Sequence, residues 1–222
     1  MCGRFTQASP GETIAELFAL DDVPRLARRF NIAPTQSVSV VRARAGGGRE
    51  LVEMRWGLIP AWAKEVSIGS RLINARAETV ADKPAFRAAL RHRRCLVVAD
   101  GFYEWRRLEN RKQPYHIRMA DGRPFAFAGL WERWTPMNGE PVESCAIVTT
   151  EPNELLRPIH DRMPVILEPG EFGRWIDASV ENVGAVVSLL RPYQDLAMIA
   201  YPVSPRVNNP ANDDPDCITR IP

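Results

Sequence analysis

Lysine and histidine are both scarce in this sequence. Of 29 basic residues only Lys64, Lys83 and Lys112 are lysines, and the histidines are His92, His116 and His160. No HExxH pair can be assembled from them, which removes a zinc-protease site. The four cysteines, Cys2, Cys95, Cys145 and Cys217, form no CxxC pair. Neither a zinc site nor a thioredoxin-like centre is therefore expected, and no metal or organic cofactor. Thiols so widely spaced fit reduced cysteines in a cytosolic protein. P-loop, G-x-G-x-x-G and G-x-S-x-G patterns are missing too, which argues against nucleotide hydrolysis, dinucleotide redox chemistry and a serine-hydrolase elbow. No apolar run approaches the ~18 residues of a membrane span. Arg4, Thr6, Gln7 and Glu16 interrupt any secretory leader. The expectation is a monomer in the cytoplasm without membrane contact. A net charge of +2 is too small to specify a nucleic-acid partner. The excess of arginine suits bidentate phosphate contacts, although a GC-rich genome would give the same bias.

The remaining composition is ordinary: 222 residues, 45% hydrophobic and 25% charged, enough for one well-buried core. With no internal repeat and no linker, residues 1–222 read as a single domain, its tail extended from about residue 203. Ser9-Pro10 looks like a helix N-cap followed by proline at the first helical position, with Ile14, Leu17 and Phe18 at helical spacing and an end near Asp21-Asp22. Ser37 to Arg44 and Glu50 to Trp56, joined through Gly46-Gly47-Gly48, predict a β-hairpin. Trp56 to Trp62 is too rich in Gly, Pro and Trp for a regular element and reads as an ordered loop. Pro84 to Leu90 predicts a helix whose basic end, including Arg91, Arg93 and Arg94, faces solvent. Short strands follow at Cys95–Ala99, Pro114–Met119, Phe125–Leu130 and Cys145–Thr150, separated by turns at Asp100-Gly101, Asp121-Gly122 and Asn138-Gly139. Asn153–Ile159 resembles a capped helix, Pro164–Leu167 a strand, and Glu171–Trp175 and Val183–Leu190 two further helices. The order of elements predicts an α+β fold with an antiparallel core.

The chemistry begins at the second residue. If Met1 is removed, Cys2 carries a free α-amine and a thiol on adjacent carbons, with pKa values near ~8 and ~8.5. Such a pair condenses with an aldehyde to an imine, and the thiol then closes a five-membered thiazolidine, a step favoured by proximity. A small second residue is also common for processing reasons alone. Glu104, flanked by Tyr103 and Trp105, becomes a usable proton carrier if its surroundings are dry; an edge-strand glutamate facing water is the bland alternative. His160 follows a predicted helix in a loop, where histidines are often functional. Asn74 and Arg76 alternate so that both can point from one face of an extended segment.

Several blocks keep one order along the chain: Met1-Cys2-Gly3-Arg4-Phe5, Asn31-Ile32-Ala33-Pro34, Trp56-Gly57 with Pro60 and Trp62, and Asn74-Ala75-Arg76-Ala77-Glu78-Thr79. Asp100-Gly101-Phe102-Tyr103-Glu104-Trp105, His160-Asp161-Arg162-Met163-Pro164 and Pro202-Val203-Ser204 with Val207-Asn208 complete them. Together they resemble the SRAP family, the SOS response-associated peptidase-like proteins that shield abasic sites in DNA. The resemblance implies a compact α+β fold with curved, largely antiparallel sheets forming a barrel-like core around a basic groove. It implies that mature Cys2 forms a thiazolidine cross-link with the ring-opened aldehyde of an abasic site in single-stranded DNA, on the nucleoid when bound. By the same resemblance, Asn74 orients the Cys2 amine and the sugar, Glu104 moves protons, and His160 assists Schiff-base chemistry. Arg4, Arg76 and Arg162 hold phosphates, Asn31 and Thr149 add contacts, and Trp62 stacks on a base. Some members carry a second tryptophan after the one matching Trp62; here Ala63 stands there, implying a smaller stacking surface. Two other readings of the residues stay open: an N-terminal-nucleophile peptidase or amidase in which the Cys2 amine is base to its own thiol, and a DNA-binding module in which Cys2 is incidental.

Overall fold

The computed structural model describes residues 2–180 and 182–222. The strands are β1 Phe5–Gln7, β2 Arg29–Ile32, β3 Ser37–Ala43, β4 Arg49–Trp56, β5 Asn74–Arg76, β6 Arg94–Ala99, β7 Gly101–Arg107, β8 Lys112–Met119, β9 Phe125–Trp134, β10 Val142–Thr150, β11 Met163–Pro164, β12 Ile166–Leu167 and β13 Met198–Pro202. Four short helices, α1 Gly11–Phe18, α2 Arg87–His92, α3 Phe172–Ile176 and α4 Val183–Val187, complete an α+β fold.

β10, β4, β3, β6 and β9 follow one another by pairing, and β9 returns to β10, so these five strands close a barrel. A second sheet runs β13-β8-β7-β1-β2. The pairing is largely antiparallel, as expected, with one exception. β10 runs parallel to both β4 and β5, because two long connections bring those strands to its side in the same direction. Closure leaves β6, β9 and β10 without a solvent face. Along β6, Cys95, Val97 and Ala99 enter the core shared with the second sheet, while Leu96 and Val98 enter the core under the helices. Hence the sequence of β6 is continuously apolar rather than alternating.

The hairpin of β3 and β4 forms in the predicted place, turning through Gly46, Gly47 and Gly48, all at positive φ. Other elements differ. Pro10, not Ser9, stands at the N-cap of α1, because the Ser9 hydroxyl donates instead to Asp100 at 2.9 Å. That helix stops at Phe18, where Ala19 turns left-handed at φ 50°. The stretch after Asn153 forms turns rather than a helix, although the Asn153 side chain does accept the Leu156 N–H. Arg94 is not on a solvated face. It is buried, and its guanidinium donates to the carbonyls of Leu90 and Arg91 at the end of α2 and to those of Trp175 and Asp177 around the end of α3. The tail is not simply extended: it makes 3-10 turns at Pro205–Asn208 and Pro215–Ile218 and buries Val207 and Cys217.

Candidate active site

Cys2 lies just ahead of β1, whose Phe5 pairs with Phe102 of β7. The Tyr103 N–H donates to the Arg4 carbonyl at 3.0 Å, carrying that pairing back toward the chain start and bringing Cys2 beside Glu104. Cys2 is fully buried, and burial, reinforced by the Glu104 carboxylate, pushes its thiol well above the usual range. Met1, whose removal the aldehyde chemistry needs, lies outside the described residues. The Asn74 amide nitrogen donates to the Cys2 carbonyl at 2.8 Å. Asn74 can do so because β5 pairs in parallel with β10, with Ala75 turned into the core and Arg76 exposed. Among the described residues the buried Asn74 Oδ1 has no hydrogen-bond partner, an acceptor available for an amine or a sugar hydroxyl.

Glu104 is only 1% exposed, and burial raises its carboxyl from 4.5 to about 7. A group titrating there exchanges protons in both directions at neutral pH. The dry surrounding that the sequence left as one of two options is the one present. His160 Nε2 stands 3.7 Å from Glu104 Oε2. Its Nδ1 stands 3.0 Å from the Arg162 backbone nitrogen and 3.0 Å from Asp161 Oδ1, so the neutral ring can hold its proton on either nitrogen. Partial burial holds the imidazole below its usual pKa, which favours that neutral form.

The residues expected to hold DNA fall into three groups. Arg76 and Trp62 are exposed, Trp62 at 61%. Arg162 forms a bidentate pair with Glu78, at 2.7 and 3.0 Å, and also donates to the Thr149 carbonyl. Thr149 itself is buried, and among the described residues its hydroxyl has no hydrogen-bond partner. Arg4 and Asn31 point elsewhere. Arg4 donates to Asn31 Oδ1 at 2.9 Å and to the carbonyls of Val207 and Asn208. Asn31 has no exposed surface, and its amide donates to the carbonyls of Val207, Asn209 and Asn212. In this conformation the pair clasps the tail against β1 and β2. The structure thus gathers Cys2, Asn74, Glu104 and His160 at one point, with Arg76, Thr149 and Arg162 along the adjoining β5 and β10. Sequence reasoning missed Glu78 as the partner of Arg162. The two are 84 positions apart, so no local pattern could pair them.

A buried cysteine at the chain start beside a carboxylate near neutrality, on a barrel of this topology, defines a class, and comparison with known proteins agrees on which. The family model for the SOS response associated peptidase (SRAP) matches residues 1–210, and the chain belongs to that family. It is 44% identical over 222 residues to the abasic site processing protein YoqW of Bacillus subtilis (strain 168), covering 98% of this chain and 99% of that protein. It is 31% identical to the abasic site processing protein HMCES of Rattus norvegicus, over 98% of this chain and 75% of that one. A crystal structure of a protein from Bacteroides thetaiotaomicron superimposes with a TM-score of 0.87 at 27% identity, covering 99% of this chain and all of that one.

Proposed function

We propose that this protein recognises abasic sites in single-stranded DNA and shields them by a covalent cross-link through Cys2 once Met1 is removed. The observation that carries the reading is the convergence of the buried Glu104, poised near neutrality, with Cys2 and His160. Names of relatives that process abasic sites support the substrate. An abasic deoxyribose is mostly a closed hemiacetal, and its opening needs a proton removed from the C1 hydroxyl and one delivered to the ring oxygen. Glu104 supplies and takes these protons. The Cys2 amine adds to the freed aldehyde carbon, and loss of water gives the imine. The thiol then adds to the imine carbon and its proton passes to nitrogen, closing the thiazolidine with a net loss of one water. Asn74 fixes the Cys2 backbone so that amine and thiol meet the same carbon. Its Oδ1, unpaired among the described residues, accepts from the amine or the sugar. His160, with Nε2 3.7 Å from Glu104, relays protons and serves reversal of the imine. Arg76 and Arg162 grip the flanking phosphates, and Trp62 stacks on a neighbouring base, a contact worth about 1–3 kcal/mol.

Intact-protein mass spectrometry after mixing with a single-stranded oligonucleotide bearing one abasic site tests this. The expected product is the demethionylated chain plus oligonucleotide, less one water. Free Cys2 with no adduct refutes the reading. Turnover of a peptide amide under the same conditions would favour an N-terminal-nucleophile hydrolase, in keeping with the word peptidase in the family's name.

A further inference from the structure

Trp62 is an exposed aromatic at the corner of a loop, and such a side chain binds well only if its backbone is already held in place. The loop is held closely. Gly57, at φ 129°, approaches Gly69 so tightly that a Cβ there would lie 2.6 Å from the Gly69 carbonyl oxygen. Leu58 and Ile59 are fully buried. The Ile59 N–H donates to the hydroxyl of Ser144, a buried residue of β10, at 2.8 Å. The Ala63 N–H returns to the Pro60 carbonyl at 2.8 Å, closing a four-residue turn with Trp62 at its third position. Finally, the indole N–H of Trp134, at the end of β9 and 8% exposed, donates to the Ala63 carbonyl at 2.7 Å. That bond grips the turn at the residue directly after Trp62.

We infer that Trp134 is a positioning residue for DNA binding: its indole N–H, with the Ser144 hydroxyl at the other end of the loop, presets Trp62 as a stacking platform. The inference rests on the cross-linking reading above. Nothing about Trp134 in the sequence points to this, since it reads as one more core aromatic at a strand end. The hydrogen bond, not the ring, is what reaches the loop. With Ala63 after Trp62 the loop presents one exposed aromatic, and its fixation carries correspondingly more of the binding.

The test is the concentration dependence of cross-linking to a single-stranded oligonucleotide with one abasic site, using the full chain. Trp134→Phe keeps a six-membered aromatic ring and deletes the N–H with the rest of the pyrrole. We expect the half-saturating DNA concentration to rise about fivefold, the size of one net hydrogen bond, with the maximal rate unchanged. Ser144→Ala, which removes the other anchor without touching the aromatic, is expected to show the same split. In a Trp62→Ala background Trp134→Phe should add nothing, because there is no platform left to position. A Trp134→Phe effect of equal size with and without Trp62 would overturn the inference, as would a loss confined to the maximal rate. Unaltered half-saturation in both Trp134→Phe and Ser144→Ala would overturn it as well. A wild-type chain that forms no adduct would instead refute the cross-linking reading itself.

Discussion

Glu104→Gln should make this protein slower and more stable at once, and the stability gain should depend on pH. The amide keeps the shape of the side chain and removes its ionisation. Burial lifts the carboxyl of Glu104 from 4.5 to about 7, so holding it ionised in the folded protein costs roughly 3 kcal/mol. The direction follows from proton counting. Between pH 4.5 and 7 the folded state holds a proton that the unfolded chain has released, so wild-type stability falls as pH rises through this window. Below about pH 4.5 the variant and the wild type should be equally stable. Above pH 7 the variant should be ahead by roughly 3 kcal/mol, about 6–12 °C in Tm for a domain of this size. His160 lies beside the carboxyl in both proteins, so its contribution largely cancels in the comparison. Melting temperatures of both proteins from pH 4 to 8 give the first measurement. The rate of adduct formation at pH 7, expected to drop roughly 10²- to 10⁴-fold as for a lost general acid–base, gives the second. A stability difference independent of pH, or a variant less stable than wild type at pH 8, would refute the claim that Glu104 is a desolvated proton carrier.

Four further outcomes follow from particular contacts. Cys2→Ala should abolish the covalent species on a denaturing gel while affinity for intact single strands persists. Asn31→Ala strands the Val207, Asn209 and Asn212 carbonyls and frees Arg4, which should cost about 3 kcal/mol in urea unfolding and loosen the tail to proteolysis. Gly101→Ala would place a Cβ 2.2 Å from Nε2 of the buried His116, whose ring is held by the Tyr201 hydroxyl at 3.0 Å. A loss of about 2 kcal/mol or more is expected by thermal melting. Arg76→Gln should weaken binding to single strands of any sequence and reduce the salt dependence of log K by about 0.7, read from titrations between 50 and 200 mM salt.

Local chemistry was legible without coordinates. The amine and thiol of Cys2 share one residue, so their reactivity needs no partner to be recognised. Strands with a clean pattern, such as the hairpin of β3 and β4 with its three glycines, follow from alternation and turn residues alone. β7 was harder to read: Asp100-Gly101 looks like a hairpin turn, whereas Gly101 is already in β7, where the chain crosses from one sheet to the other and His116 leaves no space for a Cβ.

What the sequence by itself determined was the set of reactive groups and the family. Which neighbour each group has was decided by tertiary structure, since hydrogen bonds, burial and charge act through distances that sequence separation does not encode. Glu104 could have faced water. The β1–β7 pairing and the fully buried Cys2 beside it are what dry it and move its proton affinity to neutrality. Arg4 and Asn31 bind carbonyls that the returning tail supplies, from some 180 to 200 positions away. Arg162 likewise met its carboxylate only when barrel closure brought β11 onto β10 beside β5. In each case the residue type set what the side chain could do, and the closing of the barrel set what it does.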